Sequence, residues 1–374
     1  MATRVPAAGS LLTWALALIF LIAIDAGITR TSVLWGPTAF ERTEEPGELV
    51  FAQAYRAARA VYQPDHEATL RVALLGSSKI LLASNGANVE KACPGLDLAV
   101  ENLGIFGAGL AEIEMLSRHL PKADWKLVVL TLSASDLLRA PQDAMQHPSV
   151  RLLRIGWADG PNPPPGMATR VDRWLRTASP LYRFREFSRA ALRERVTSPP
   201  LPPEPRLEHG TTREVFGYVS GEQADAIEKA YRVWLARRDF ASYLDYLSVG
   251  RPGYLEGMRE RVKGYATPEP ERPAMRSLEA LLARAARVGW ETRILLMPRN
   301  PVLALDVAQE YHDATMEGKA IAALEKVAER YGVALIDARA WVAAENFLDI
   351  NHPMPGLSGF DARLAEEIRR VVEG

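Results

Sequence analysis

Two short stretches near opposite ends of the 374-residue chain carry side chains that could together form a covalent bond and move a proton. In the first, the apolar run Val72–Leu75 leads into Gly76-Ser77-Ser78-Lys79. A serine just past the carboxyl end of the first strand of a parallel sheet projects into the cleft region, and a glycine before it permits a tight turn. Alone, Gly-Ser-Ser usually marks a turn or a helix cap. In the second, Phe347-Leu348-Asp349-Ile350-Asn351-His352-Pro353 is followed by Gly356, Gly359 and an amphipathic segment. Asp and His three residues apart on a loop allow the carboxylate to hold one imidazole nitrogen, which leaves the other free as a general base. Alone, that pair suits a helix cap or an exposed loop equally well. Taken together, the two stretches offer Ser78 as nucleophile, His352 as base and Asp349 as the group that orients it.

A constellation split across the chain needs a scaffold that brings its ends together. Five apolar runs predict strands: Val72–Leu75, Leu96–Val100, Leu127–Leu132, Thr292–Met297 and Val333–Ile336. Helical periodicity separates or follows most of them, over Ala111–Leu120, Met275–Val288, Gly318–Tyr331 and Asp361–Val372. Nearly continuous apolar strands alternating with helices predict an α/β fold, with a parallel sheet covered on both faces. Five of them suggest a flavodoxin-like, doubly wound sheet whose ligands sit beyond the carboxyl ends of the strands.

Residues 141–272 break that rhythm with two proline clusters, Gly160–Gly166 and Ser198–Pro205, which fit neither helix nor central strand. Helical stretches lie beside them at Ala168–Arg176, Leu181–Val196 and Glu222–Tyr246. The interval reads as an insertion between the third and fourth strands, dividing the sheet domain into 71–140 and 273–374. Met167–Val196 carries eight arginines against three acidic residues. An amphipathic helix packed on the core explains this better than a basic helix touching anionic lipid or polysaccharide.

At the amino terminus, Leu11–Ile24 is apolar apart from Thr13, and after Asp25 the run continues to Ile28. That is close to the minimum for a membrane span, roughly 17–25 residues. The residues that follow suit signal-peptidase cleavage poorly, so residues 1–30 are expected to act as an uncleaved signal anchor, with a helical linker over 31–70. Arg4 and Arg30 flank the run, so charge bias sets no orientation.

Composition narrows the chemistry further. A hydrophobic content of 48% with 24% charged residues describes a globular chain, and a net charge of −1 gives no reason to expect nucleic acid. Cys93 is the only cysteine, which excludes an intramolecular disulfide. The six histidines show no metal-ligand spacing, so neither a metal nor a cofactor is expected.

In their order, these blocks resemble the SGNH (GDSL-like) hydrolase superfamily, with its Gly-Asp-Ser nucleophile motif after the first strand and Asp-x-x-His before the last helix. Here Gly76-Ser77-Ser78 replaces the Asp with Ser, which places the nucleophile at Ser78 and not Ser77. The resemblance implies oxyanion donors at the Ser78 and Gly107 amides, the latter in Asn102–Gly107, read as following the second strand. A dinucleotide reading of Gly104-x-x-Gly107-x-Gly109 fails because the glycine order is reversed.

The family's Gly-x-Asn-Asp block is degenerate here. In Ser133-Ala134-Ser135-Asp136, Ser135 stands where the donor asparagine is expected. Arg299 and Asn300 lie beyond the fourth strand and could supply another donor or bind the acyl acceptor; a solvated loop is the alternative. The Gly-Ser-Ser form also looks like membrane-anchored members that transfer acyl groups in cell-envelope polymers. The resemblance therefore implies an esterase or O-acyltransferase acting on acyl groups, acetyl foremost, of an envelope polysaccharide. It would be a single-pass protein of a bacterial inner membrane, anchored through residues 11–28, with its globular part on the periplasmic side. A catalytically silent SGNH-fold partner in envelope-polymer assembly or export is the rival, and simple hydrolysis of small esters or lipids a second.

Overall fold

β1 (Leu70–Ser77) is buried from Arg71 onward, and its neighbours in the sheet are β2 (Leu98–Ile105) and β3 (Leu127–Leu132). The computed structural model describes residues 70–118, 120, 124–138, 221–237, 239–250, 252–265, 267–303, 313–347, 349–353 and 359–374, with Thr13, Leu16, Ile19 and Phe20. Both proline clusters, the expected helices at 168–176 and 181–196, the linker up to residue 69 and most of the apolar run 11–28 lie outside these residues. The four described positions of that run are helical and exposed. Among the described residues, no helix is long and apolar enough to cross a membrane.

Five parallel strands form one sheet in the order β2-β1-β3-β4-β5, with β4 at Glu291–Leu296 and β5 at Ala334–Asp337. This is an α/β architecture consistent with double winding. The chain moves outward from β1 to β2, then crosses back to β3 on the other side. The carboxyl ends of β1 and β3 therefore flank the topological switch point, where doubly wound sheets open a crevice for ligands.

Alternate side chains of each strand enter separate cores because strand side chains alternate between faces. Val72, Leu74, Leu127, Val129 and Leu295 face α1 (Ser78–Ala83), α2 (Gly86–Lys91) and α10 (Phe360–Glu373). Ala73, Leu75, Val128, Leu130, Ile294 and Leu296 face α3 (Leu110–Ser117), α4 (Ala134–Leu138), α8 (Pro273–Val288) and α9 (Asp313–Tyr331).

Several elements differ from the sequence expectation. β2 runs to Ile105, so Asn102–Ile105 lies within the strand and only Phe106 and Gly107 follow it. The half-buried polar residues Glu101 and Asn102 interrupt its apolar pattern. Asn102 is accommodated because its Nδ2 donates to the carbonyls of Ile80 and Ser84, at 2.9 and 2.8 Å, tying β2 to the end of α1. The helix expected over Glu222–Tyr246 is two, α5 (Gly221–Arg237) and α6 (Phe240–Gly250). Asp239 separates them, accepting a 2.7 Å bond from the Ser242 amide and so capping α6. A further helix, α7 (Tyr254–Lys263), completes the described part of the insertion.

Helices α5, α6 and α7 share a core of Ile227, Tyr231, Trp234, Tyr243, Tyr246, Leu247, Met258 and Val262. Leu303 and Ile350 belong to the same cluster, and Leu82 of α1 packs against it. The insertion is thus continuous with the sheet domain at the loop that carries Asp349 and His352.

Candidate active site

Gly76 decides how closely β1 approaches β3. A Cβ there would lie 1.9 Å from Thr131 Oγ1 and 3.1 Å from the Thr131 carbonyl, so only glycine fits this position without displacing β3. Past Gly76 the strand ends at Ser77, whose hydroxyl accepts from the Lys79 amide and caps α1. Ser77 is 6% exposed and committed to that cap. Ser78, the first residue of α1, is half-buried just past the carboxyl end of β1.

The Ser78 Oγ lies 3.0 Å from His352 Nε2. On the other side of the ring, His352 Nδ1 is 2.9 Å from Asp349 Oδ1 and 2.8 Å from Oδ2. Asp349 is fully buried, and its Oδ1 also accepts from the Asn351 and His352 amides at 2.8 and 3.1 Å. With the carboxylate facing Nδ1, the proton belongs on that nitrogen and the Nε2 lone pair faces the serine. Residues 274 positions apart in sequence therefore form one hydrogen-bonded chain.

The Asp349–His352 loop is held at several points. Phe347 and Pro353 form an antiparallel bridge that closes its base. The Asn300 amide donates to the Ile350 carbonyl at 2.9 Å, and Asn300 Nδ2 donates to the Ala344 carbonyl and to Tyr243 Oη, both at 3.2 Å. Tyr243, from α6, donates in turn to the Phe347 carbonyl at 3.3 Å. Asn300 Oδ1 accepts from the Val302 and Leu303 amides.

Asn300 is 0% exposed, which leaves it no surface to offer a substrate; its place is beneath the loop, as a brace. Arg299 pairs with Glu317 at 2.8 Å, its side chain only 12% exposed. The structure gathers Ser78, His352 and Asp349; Arg299 is engaged by Glu317, and Asn300 is buried beneath the loop.

The expected oxyanion donors lie along the same sheet edge. β1 and β2 are in register at Ser77 and Ile105, so the turn holding Phe106 and Gly107 follows at the level of Ser78. Gly107 has φ +73°, a conformation that glycine adopts without strain, and it is exposed. On the other side of β1, Leu75 is in register with Leu130, and Ser133 directly follows β3 at the same end of the sheet. Ser135 follows, half-buried, with its Oγ 2.8 Å from Ser133 Oγ.

Sequence reasoning missed Lys79. Its Nζ lies 2.7 and 2.8 Å from the two Asp136 oxygens, contacts Ser133 Oγ, and reaches Ser135 Oγ at 3.3 Å. The signal was present as a lysine beside the nucleophile and an aspartate beyond the neighbouring strand. Tyr243 gave no comparable signal. Among the described residues, no cluster of His, Cys, Asp and Glu could hold a metal ion.

No protein-family model matches the chain, and no curated protein matches it.

Proposed function

We propose that the protein is an SGNH-type serine esterase or O-acyltransferase that works through an acyl-serine intermediate. The observation that carries this reading is the unbroken chain from Ser78 Oγ through His352 to the buried Asp349. In the reaction, Ser78 Oγ attacks an ester carbonyl while His352 Nε2 takes its proton. The tetrahedral oxyanion is met by the Ser78 and Gly107 amides. Collapse breaks the ester C–O bond, and the alcohol leaves with the proton from His352. A second hydroxyl then gives its proton to His352 and takes the acyl group, the acyl–serine C–O bond breaks, and His352 returns the proton to Ser78 Oγ. Water makes the protein an esterase, and a sugar hydroxyl makes it a transferase. The acyl group proposed is acetyl, on a cell-envelope polysaccharide.

A membrane anchor over residues 11–28 belongs to the same proposal, with the globular part on the periplasmic side of a bacterial inner membrane. Its support is the apolar run itself, together with the exposure of Leu16, Ile19 and Phe20 in helical conformation.

The test is labelling of the full chain in detergent with a fluorophosphonate probe. Wild type and Ser77→Ala are expected to label, and Ser78→Ala to remain unlabelled. Incubation with an acetyl donor and a glycan acceptor then separates transfer, which yields acetylated glycan, from hydrolysis, which yields free acetate alone. A folded wild type that never labels overturns catalysis and favours a silent binding partner in polymer assembly.

A further inference from the structure

The geometry points to Lys79 as a positioning residue that turns the Ser135 hydroxyl into an oxyanion donor, in place of the asparagine amide missing from this block. This inference rests on the acyl-serine reading above. Lys79 directly follows the nucleophile, and its side chain is 10% exposed against 2% for Asp136. Ser133 and Asp136 are likewise buried, while Ser135, half-buried, is the most accessible member of the network.

Proton counting shows what Lys79 does. Asp136 Oδ2 accepts from Lys79 Nζ, from the Ser133 amide at 2.8 Å and from Ser133 Oγ at 2.9 Å. Each hydroxyl has one proton to give. If Ser133 donates to Asp136, Ser135 donates to Ser133 and has nothing left for a substrate. If Ser133 donates to Ser135, the Ser135 proton is free to point into the crevice. One charge-assisted N–H of Lys79, facing both carboxylate oxygens, and the Ser133 amide satisfy Asp136 without the Ser133 hydroxyl, while a second Lys79 N–H goes to Ser133 Oγ. Lys79 also donates toward Ser135 Oγ, which occupies an acceptor position on that oxygen and leaves its proton for the oxyanion. Negative charge developing beside Ser78 selects this second arrangement.

Ester hydrolysis by the full chain tests the inference. Ser135→Ala is expected to lower kcat by about 10²-fold, the usual loss for one oxyanion donor, with KM nearly unchanged. Lys79→Met with Asp136→Asn removes the buried charge pair as a unit and avoids leaving an unpaired carboxylate. This double variant is expected to lose kcat to a similar extent, and adding Ser135→Ala to it should cost little more. Replacing Ser135 by Asn in the double variant should restore at least about tenfold, because an amide brings its own donor. Lys79→Arg keeps a charge against Asp136 and serves as the milder second variant, in which Ser135→Ala also costs less than in wild type. Full additivity of the Lys79 and Ser135 effects overturns the inference while leaving the esterase reading intact. A wild type that neither labels nor hydrolyses overturns both.

Discussion

Asp349 has two tasks that a substitution can separate. Its Oδ1 accepts two backbone amides of the loop, while both oxygens face His352 Nδ1. Asp349→Asn keeps an oxygen for the amides but can present an N–H to the ring, which favours the tautomer with its proton on the wrong nitrogen. The expected result is a fall in kcat of about 10⁴-fold with thermal stability nearly unchanged. Asp349→Ala removes the loop's acceptor as well, so it should lower both kcat and melting temperature. Steady-state rates and thermal melts of the two variants check this, and equal stability of both would show that the carboxylate does not hold the loop. At this scale the site was largely legible, because Ser78, Asp349 and His352 carry chemistry in their residue types. Asn300, a polar residue near a strand end, suggested an oxyanion donor or an acceptor contact; its burial beneath the loop cannot be read from residue type.

The elements that hold these residues come from distant parts of the chain. α6 supplies Tyr243, the segment after β4 supplies Asn300, and together they fix the carbonyls of Phe347, Ile350 and Ala344. Tyr243→Phe leaves the Phe347 carbonyl without this donor and Asn300 Nδ2 without one of its acceptors. Such a loss costs about 1–3 kcal/mol when the groups stay buried. Because a small misplacement of reacting groups can cost about 10²-fold, the fluorophosphonate labelling rate should fall by between about 10- and 100-fold. Unchanged labelling and stability would show that α6 does not brace the loop. Strands and helices with continuous apolar patterns were legible, and β3 was found to its ends. β2 was cut short in the sequence reading because its apolar run stops at Val100, before Glu101 and Asn102, and the bonds that tie Asn102 to α1 leave no trace in that pattern. The break at Asp239 was missed because apolar periodicity continues across it.

At the scale of the whole molecule, the strand order places Ser78 and the Ser133–Asp136 segment on either side of the switch point. Helices α5, α6 and α7 share a core with Leu303 and Ile350, against which Leu82 packs. The docking of α5, α6 and α7 was not legible, since contacts between distant segments leave no periodic trace. A shared core has a consequence for unfolding: elements that bury the same side chains open together. Hydrogen exchange measured across a urea series should therefore give the same midpoint for peptides from α6 and from β3. Loss of protection in α6 at a urea concentration where β3 remains protected would show that the insertion is an independent module. In that case the Tyr243 brace would also be lost before the sheet, and labelling of Ser78 should decline at the lower midpoint. Coincident midpoints, with labelling lost at the same concentration, would make the insertion part of the unit that positions the nucleophile.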